Sequence, residues 1–286
     1  NFFVFTLGLL GMHALLRPSV DPALLRRFLL LLIAGSMFPY HLREYLAEVF
    51  TSVFAAVGMV AVYTGRGALG WPLIVLAVGN SPACALGLAA VVAVCALRSR
   101  RWRCVLALPC AAGLILLEAW LRRGSPLATG YEGNAGFRTV LPYSGLPGFS
   151  YPLFFGVLAI LLSFGKGLAW FAPGLALSWT GEMKKAPEPW AGVQRLWLWF
   201  LAGMIPVYAK WWAWYGGRFW GPRFFLFASI PACAALAAHL RPRNLSPGLK
   251  AAVLAALTLS VWVGLNGATF GDANLDVCWH DDYRLE

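Results

Sequence analysis

Charged residues are scarce in this sequence. Asp, Glu, Lys and Arg make up 12% of its 286 residues, whereas 60% are hydrophobic and the mean hydropathy is +0.68. A soluble domain contains about 25% charged residues, so the composition excludes an ordinary soluble domain. In lipid the backbone must satisfy its hydrogen bonds within the chain, which makes helices the expected element. We therefore predict an all-α, polytopic integral membrane protein with about 8–10 membrane helices or half-helices.

Metal-binding and disulfide patterns are missing as well. The chain has only four His, and its six Cys are scattered without a C-x-x-C pair. This excludes a zinc site and a disulfide framework, and the sequence supports neither a divalent metal nor another cofactor. No polar stretch has the length of a soluble domain. Residues 1–286 are therefore expected to form a single transmembrane helical domain.

The charges that are present are mostly positive. A formal net charge of +11 would indicate nucleic-acid binding in a soluble protein, but here the basic residues recur between apolar runs. Short loops rich in Lys and Arg stay cytoplasmic. We therefore expect no nucleic-acid partner and place four basic segments in the cytoplasm, namely 17–27, 98–103, 184–185 and 241–250.

The remaining polar segments alternate with the basic loops and are expected outside. They are the patch 40–48, the loop 122–152, the stretch 210–223 and the polar C-terminal tail 267–286. The loop 122–152 is rich in Gly, Pro and Ser, which indicates irregular structure. The apolar segment 71–97 is interrupted by Gly-Asn-Ser-Pro, and it forms either one kinked span or a re-entrant hairpin.

Residues 210–225 read KWWAWYGGRFWGPRFF and combine aromatic rings, cations and glycines. Trp and Tyr favour the headgroup level of a membrane, so one interpretation is an aromatic belt. A belt explains less well the two adjacent glycines and the Gly-Pro-Arg step. Glycine permits close backbone approach, and Arg offers a fork of donors that matches a phosphate. The second interpretation is therefore a binding site whose aromatic faces hold a sugar or an isoprenoid.

This stretch resembles a pattern of bacterial GT-C class membrane glycosyltransferases, the group around protein mannosyltransferases and lipid A aminoarabinose transferases. Their pattern reads approximately W-x-W-x-G-G-x-x-x-G-P-R, followed by apolar residues and a Pro. The matching residues are Trp212, Trp214, Gly216, Gly217, Gly221, Pro222, Arg223 and Pro231. The segments GSPLATGY at 124–131 and GVLAILLSFGKGLAWFAPGL at 156–175 resemble two further patterns of the family. A weaker third resemblance, at 39–59, covers a segment in which a Glu opens a helix.

The resemblance implies a sugar transferase of the bacterial inner (plasma) membrane. Such enzymes take a sugar from a polyprenyl-phosphate carrier at the outer membrane face and pass it to a lipid, a glycan or a protein. The expected partners are therefore membrane lipid and a polyprenyl-phosphate-linked sugar, and cations would stabilise the leaving phosphate. The candidate substrate-binding residues are Arg138, Lys166, Arg218, Arg223, Tyr131 and Trp214. Lys166 has a second interpretation as a snorkelling lysine at a helix break.

The resemblance also implies a catalytic acid in the first outer loop, and this sequence has no such loop before residue 17. Glu44 and Glu48 are the nearest outer acids, although a Glu at a helix start is often a dipole partner. The catalytic residue therefore stays unassigned. The alternative function is a non-catalytic integral subunit of a larger membrane complex. A transporter is disfavoured, because its main candidate residue, Glu118, lies near a helix end rather than at the bilayer centre.

The two outer loops 122–152 and 210–223 are expected to fold together over the helix ends. Gly and Pro occur where the chain must bend. We expect one lined cavity there, with Lys166, Arg218 and Arg223 in its wall and a lipid-linked phosphate inside.

The predicted topology is testable by cysteine labelling. In a background without the native cysteines, Ser144→Cys should react with a membrane-impermeant thiol reagent added outside. Ser99→Cys should react only from the cytoplasmic side, because the Lys and Arg bias places 98–103 there. Labelling of Ser144→Cys from the cytoplasmic side alone would invert the topology and remove the reason for an outer-face site.

Overall fold

The computed structural model describes residues 1–99, 102–138, 140, 143–217, 219–240 and 245–271. Arg218, one of the predicted binding residues, lies outside the described residues. The same is true of the tail 272–286 and of parts of two basic segments, at 100–101 and 241–244.

The described residues form thirteen α-helices and, apart from one isolated bridge between Ala135 and Pro147, no β-structure, so the predicted all-α fold is confirmed. The helices are α1 Phe2–Leu16, α2 Pro22–Ala34, α3 Phe38–Arg43, α4 Glu48–Tyr63, α5 Gly67–Asn80, α6 Ala85–Ser99, α7 Ala107–Arg123, α8 Leu153–Leu162, α9 Leu168–Phe171, α10 Gly181–Lys184, α11 Trp190–Lys210, α12 Ser229–His239 and α13 Pro247–Phe270. Shorter 3-10 helices occupy Pro82–Cys84, Trp102–Leu106, Pro173–Trp179 and Arg223–Ala228.

Two helical segments among the described residues are long and apolar enough to cross a membrane. They are Trp102–Arg123, which includes α7, and Pro247–Phe270, which is α13, with 22 and 24 residues. Only 22% and 28% of their most apolar windows are buried inside the protein. Six further apolar helical segments among the described residues are shorter, with 10–17 residues. Most of the apolar surface of the two long helices is therefore presented to the surroundings.

Helices α4 and α5 form an antiparallel pair. Gly58 lies so close to α5 that a Cβ atom there would be 2.6 Å from Ile74 Cγ1. At one end of the pair, Asn80 Nδ2 donates to Thr51 Oγ1 at 2.9 Å and to the carbonyl of Ala47 at 3.1 Å. Small residues allow helices to approach this closely, and the polar contacts hold the end of α5 against the start of α4.

The interrupted apolar segment 71–97 forms a helical hairpin rather than one kinked span, because α6 runs antiparallel to α11. Ser81, at the junction of α5 and α6, has its Oγ 3.3 Å from Tyr208 Oη near the end of α11. Gly87 of α6 lies against Gly203, further back along α11, where an added Cβ would be 2.6 Å from the Gly87 nitrogen. The chain thus turns at Ser81 and returns towards the end of the bundle at which α5 begins.

The helix directions define two ends of the bundle. We name the aromatic end after the stretch 210–223, which follows the end of α11, and the opposite end is the basic end. Tyr63, at the end of α4, contacts Gly192 at the start of α11, and its hydroxyl donates to Glu188 at 2.7 Å. The start of α5 and the start of α11 therefore meet at the basic end.

Other helices also begin or end at one of these two ends. Asn1 Nδ2 donates to the carbonyl of Leu46 at 3.1 Å, so α1 begins at the aromatic end. Gly267, near the end of α13, lies against the ring of Trp220, so α13 ends there too. The described parts of the four basic segments consequently lie at the basic end, and the patch 40–48 lies at the aromatic end. The separation expected from the sequence is present in the fold.

Buried rings join α2, α11 and the 3-10 helix Arg223–Ala228 between the two ends. Phe28 packs on Trp190 and Trp197 with ring centres 5.3 and 5.8 Å apart. Phe200 and Phe227 pack at 4.8 Å. Because all five rings are 1% exposed or less, they fix the position of α11, whose end carries the aromatic stretch.

Candidate functional site

The aromatic stretch folds as a series of tight turns after α11 ends at Lys210. Gly216, Gly217 and Gly221 have φ values of +76°, +81° and +69°, a region that residues with a Cβ rarely adopt. Gly221 also lies against Phe171, where an added Cβ would be 2.7 Å from Cδ1. Glycine is therefore favoured at these three positions, because the chain makes left-handed turns there. At Gly221 the backbone also passes too close to α9 for a side chain.

Lys166 holds these turns together through its ammonium group. Its Nζ donates to the carbonyl oxygens of Gly217 at 2.9 Å and of Gly221 at 3.0 Å, and to the carbonyl of Phe219 between them. A lysine ammonium has three donors and no acceptor, so all three are used by the backbone of one loop. We call this arrangement the lysine clamp.

The turn 163–167 between α8 and α9 brings Lys166 to the loop. Gly167 lies so close to the Ser163 carbonyl that an added Cβ would be 2.4 Å from its oxygen. Burial, followed by the charge of Arg223, lowers the pKa of Lys166 to about 8. The three carbonyl acceptors act in the opposite direction, since hydrogen bonds to a charged form favour it. The interpretation of Lys166 as a freely snorkelling lysine does not describe this geometry.

Arg223 ends the aromatic stretch and forms an ion pair with Glu48. Its Nε lies 3.1 Å from Glu48 Oε1, and the side chains are 26% and 17% exposed. The guanidinium carbon is 4.6 Å from the ring centre of Phe219 and 5.0 Å from that of Phe224, within the range of cation–π attraction. The ion pair lacks hydrogen-bond geometry, so the buried Nε has no hydrogen-bond partner among the described residues.

Glu48 is the first residue of α4, where the helix dipole favours a negative charge. Glu44, the other candidate acid, pairs instead with Arg43 at 3.3 Å. The two candidate acids therefore have different partners, and of the two only Glu48 forms an ion pair with Arg223.

The loop 122–152 packs against the start of the aromatic stretch, as expected. Trp212 N donates to the carbonyl of Gly148, and Tyr151 N donates to the carbonyl of Lys210, both at 3.0 Å. Tyr131, which is 58% exposed, has its ring centre 5.5 Å from that of Trp211. The described residues of these two loops therefore form one layer over the helix ends.

The remaining candidates lie in this layer. The ring centre of Trp214 is 6.4 Å from that of Tyr151. Arg138 is exposed and lies against Gly145, and no contact between described residues joins it to Lys166 or Arg223. The structure thus brings together Lys166, Arg223 and Glu48 at the aromatic end but leaves Arg138 on the outer surface of the layer.

Sequence reasoning missed the neutral polar groups of the site. Tyr208 packs on Phe224 with ring centres 4.7 Å apart, and its hydroxyl reaches Ser81. His41, in α3, is fully buried. Tyr208 stands at the end of an apolar run, whereas His41 belongs to the polar patch 40–48, and neither residue type by itself indicates a binding site.

Other polar groups do not join the site. Glu118 pairs with Arg122 at 2.7 Å and with Arg123 at 3.1 Å near the end of α7. Across the described residues there is no cluster of three His, Cys, Asp or Glu that could hold a metal ion.

Comparisons with protein-family models, with curated proteins and with solved structures find no match for this chain.

The lysine clamp makes a prediction for stability. Lys166→Met should lower the free energy of unfolding in detergent by about 2–4 kcal/mol, because three partly buried carbonyls lose a charged donor. Lys250→Met, at an exposed position in the first turn of α13, is the matched control and should change it by less than about 0.5 kcal/mol. Chemical unfolding followed by Trp fluorescence measures both. Equal, small losses would mean that the clamp does not stabilise the fold.

Proposed function

We propose that this chain is a polytopic integral membrane protein whose aromatic end faces outward. Three observations support this. The two longest apolar helices are mostly unburied. Helix α8 leaves large apolar side chains such as Phe154 (68% exposed) and Leu162 (59%) on the surface, and such patches need an apolar partner. The basic segments lie at the opposite end, as the Lys and Arg bias of cytoplasmic loops requires.

We further propose that the aromatic end binds a polyprenyl phosphate and that the protein is a sugar transferase of the GT-C kind. The proposal is based mainly on the environment of Arg223. Its guanidinium is partly exposed, its Nε lacks a hydrogen-bond acceptor, and two aromatic rings hold it in place. A phosphate oxygen is the acceptor that a guanidinium fork matches best.

The neighbouring groups suit this ligand. The apolar surface of α8 and α7 adjoins the aromatic end and provides an environment for an isoprenoid chain. The lysine clamp orders the loop that ends in Arg223, so the guanidinium is placed before the ligand arrives. Such preorganisation reduces the entropy lost on binding.

The transfer step assigns a role to each charge. The acceptor hydroxyl forms a bond to the sugar C1 atom, the bond between C1 and the phosphate oxygen breaks, and the phosphate leaves with the electron pair. Arg223 stabilises the charge that develops on this phosphate. The hydroxyl proton needs a base. Glu48 is the carboxylate in contact with Arg223, and donor binding would release it by replacing it as the partner of the guanidinium.

A second function rests on the same ion pair. In the non-catalytic subunit proposed as the alternative, Glu48 and Arg223 remain permanent partners, and the aromatic end serves for packing within a complex. The two functions predict opposite effects of removing the charge of Glu48: phosphate binding becomes stronger under the first and weaker under the second.

Binding of undecaprenyl phosphate to the purified protein in lipid nanodiscs tests the proposal. Arg223→Gln should weaken binding by about 10- to 100-fold, because a hydrogen bond to a charged group contributes about 1.5–3 kcal/mol. Glu48→Gln should strengthen binding, since it removes the competitor for the guanidinium. Arg122→Gln is the control, because its side chain is 72% exposed at the same end of the bundle.

The contradicting results are specific. Equal affinities of wild type, Arg223→Gln and Arg122→Gln would exclude Arg223 as the phosphate contact. Weaker binding by Glu48→Gln would favour the permanent ion pair of the non-catalytic subunit. Neutral undecaprenol measures the contribution of the isoprenoid chain alone.

A further inference from the structure

Two buried histidines in this protein are held in the same way but differ at one atom. His41 Nδ1 lies 2.9 Å from the carbonyl oxygen of Met37, and His239 Nδ1 lies 2.8 Å from that of Ala235, in each case four residues earlier in the chain. His239 Nε2 is 2.8 Å from Thr180 Oγ1. His41 Nε2 is buried and has no partner among the described residues. Both ring nitrogens of His239 therefore have a hydrogen-bond partner, whereas Nε2 of His41 has none among the described residues.

The contact with Met37 determines which nitrogen of His41 carries the proton. A carbonyl oxygen only accepts, so Nδ1 must be the donor, and in the neutral ring Nε2 is a bare acceptor. Burial, with smaller contributions from the charges of Lys166 and Arg223, lowers the pKa of His41 to about 4. The ring is thus neutral at physiological pH. An unsatisfied buried acceptor is costly, and native structures rarely contain one without a reason.

The location of His41 connects it with the site. It lies in α3, one turn after Met37, and the sulfur of Met37 would be 3.3 Å from a Cβ atom added at Gly221, whose carbonyl belongs to the lysine clamp. Gly221 is held by Lys166 and lies two residues before Arg223, so α3 packs against the loop that carries both the clamp and the guanidinium. The missing partner of His41 is therefore a hydrogen-bond donor next to the loop that carries Arg223.

We propose that His41 Nε2 accepts a hydrogen bond from a hydroxyl group of the sugar that is attached to the bound polyprenyl phosphate. This inference rests on the proposed function and adds to it a contact for the sugar. The chemistry is complementary, because Arg223 supplies only donors and suits the phosphate, whereas His41 supplies an acceptor and suits a hydroxyl. A carbohydrate hydroxyl next to the phosphate satisfies the buried nitrogen without introducing a charge.

Binding by wild type and by His41→Asn tests this contact. The Asn amide keeps a donor for the Met37 carbonyl and removes the acceptor at the Nε2 position. The probes are undecaprenyl phosphate and the same lipid carrying glucose or mannose, in nanodiscs. Wild type should bind at least one sugar-bearing form about 2- to 10-fold more tightly than the bare phosphate, the range of one neutral hydrogen bond. His41→Asn should lose this advantage and bind the bare phosphate within twofold of wild type.

A second measurement applies if His41→Asn does not fold. In wild type, the ¹⁵N resonance of His41 Nε2 should shift when the sugar-bearing lipid is added, and less so with the bare phosphate. The resonance of His239 Nε2, whose partner is Thr180, is the internal control and should stay unchanged. A shift of the His41 resonance that is equal with both lipids would overturn the proposal.

The outcomes separate this inference from the function on which it rests. If wild type binds undecaprenyl phosphate no better than neutral undecaprenol, the proposed function fails and the sugar contact fails with it. If the phosphate binds but the sugar adds nothing, or if His41→Asn keeps the full advantage, the proposed function stands and the sugar contact is wrong.

Discussion

The aromatic end depends on the lysine clamp. Three carbonyls of one loop, those of Gly217, Phe219 and Gly221, converge on the ammonium of Lys166. Backbone carbonyls in a loop without helical hydrogen bonds need partners when they are partly buried, and a single ammonium supplies three donors at once. The loop adopts left-handed turns at its glycines because this convergence requires them. Arg223 follows immediately, and its position is therefore set by the same interaction.

The clamp changes the interpretation of the charges at this end. Two cations, Lys166 and Arg223, lie in one region, and a pattern of residue types alone assigns both to a phosphate. In the structure the two cations have different roles. All three donors of the Lys166 ammonium bind backbone carbonyls, whereas Nε of Arg223, next to Glu48, makes no hydrogen bond to any described residue. In the proposed function, the guanidinium of Arg223 contacts the phosphate, the carboxylate of Glu48 takes the proton of the acceptor hydroxyl, and the bare imidazole nitrogen of His41 contacts the sugar.

Much of the fold was predictable from the sequence, because apolar runs and basic loops report on helices and their ends. Helix α1 occupies the first apolar run from Phe2 to Leu16, and the break around Ser81 was visible as Gly-Asn-Ser-Pro. Whether that break made a kink or a hairpin was not predictable, since it depends on how α6 packs against Gly203 of α11. The role of Lys166 was hidden for a similar reason. Its partners are backbone oxygens that have no residue signature, and the turns that present them exist only in the folded loop.

A double-mutant cycle on undecaprenyl phosphate binding tests the central claim most directly. If Lys166 acts only by holding the loop that carries Arg223, the double variant Lys166→Met/Arg223→Gln should bind no more weakly than Arg223→Gln alone. If Lys166 contacts the phosphate itself, the losses in binding free energy should add, as they do for independent sites. The account predicts the first result, and additive losses would contradict it.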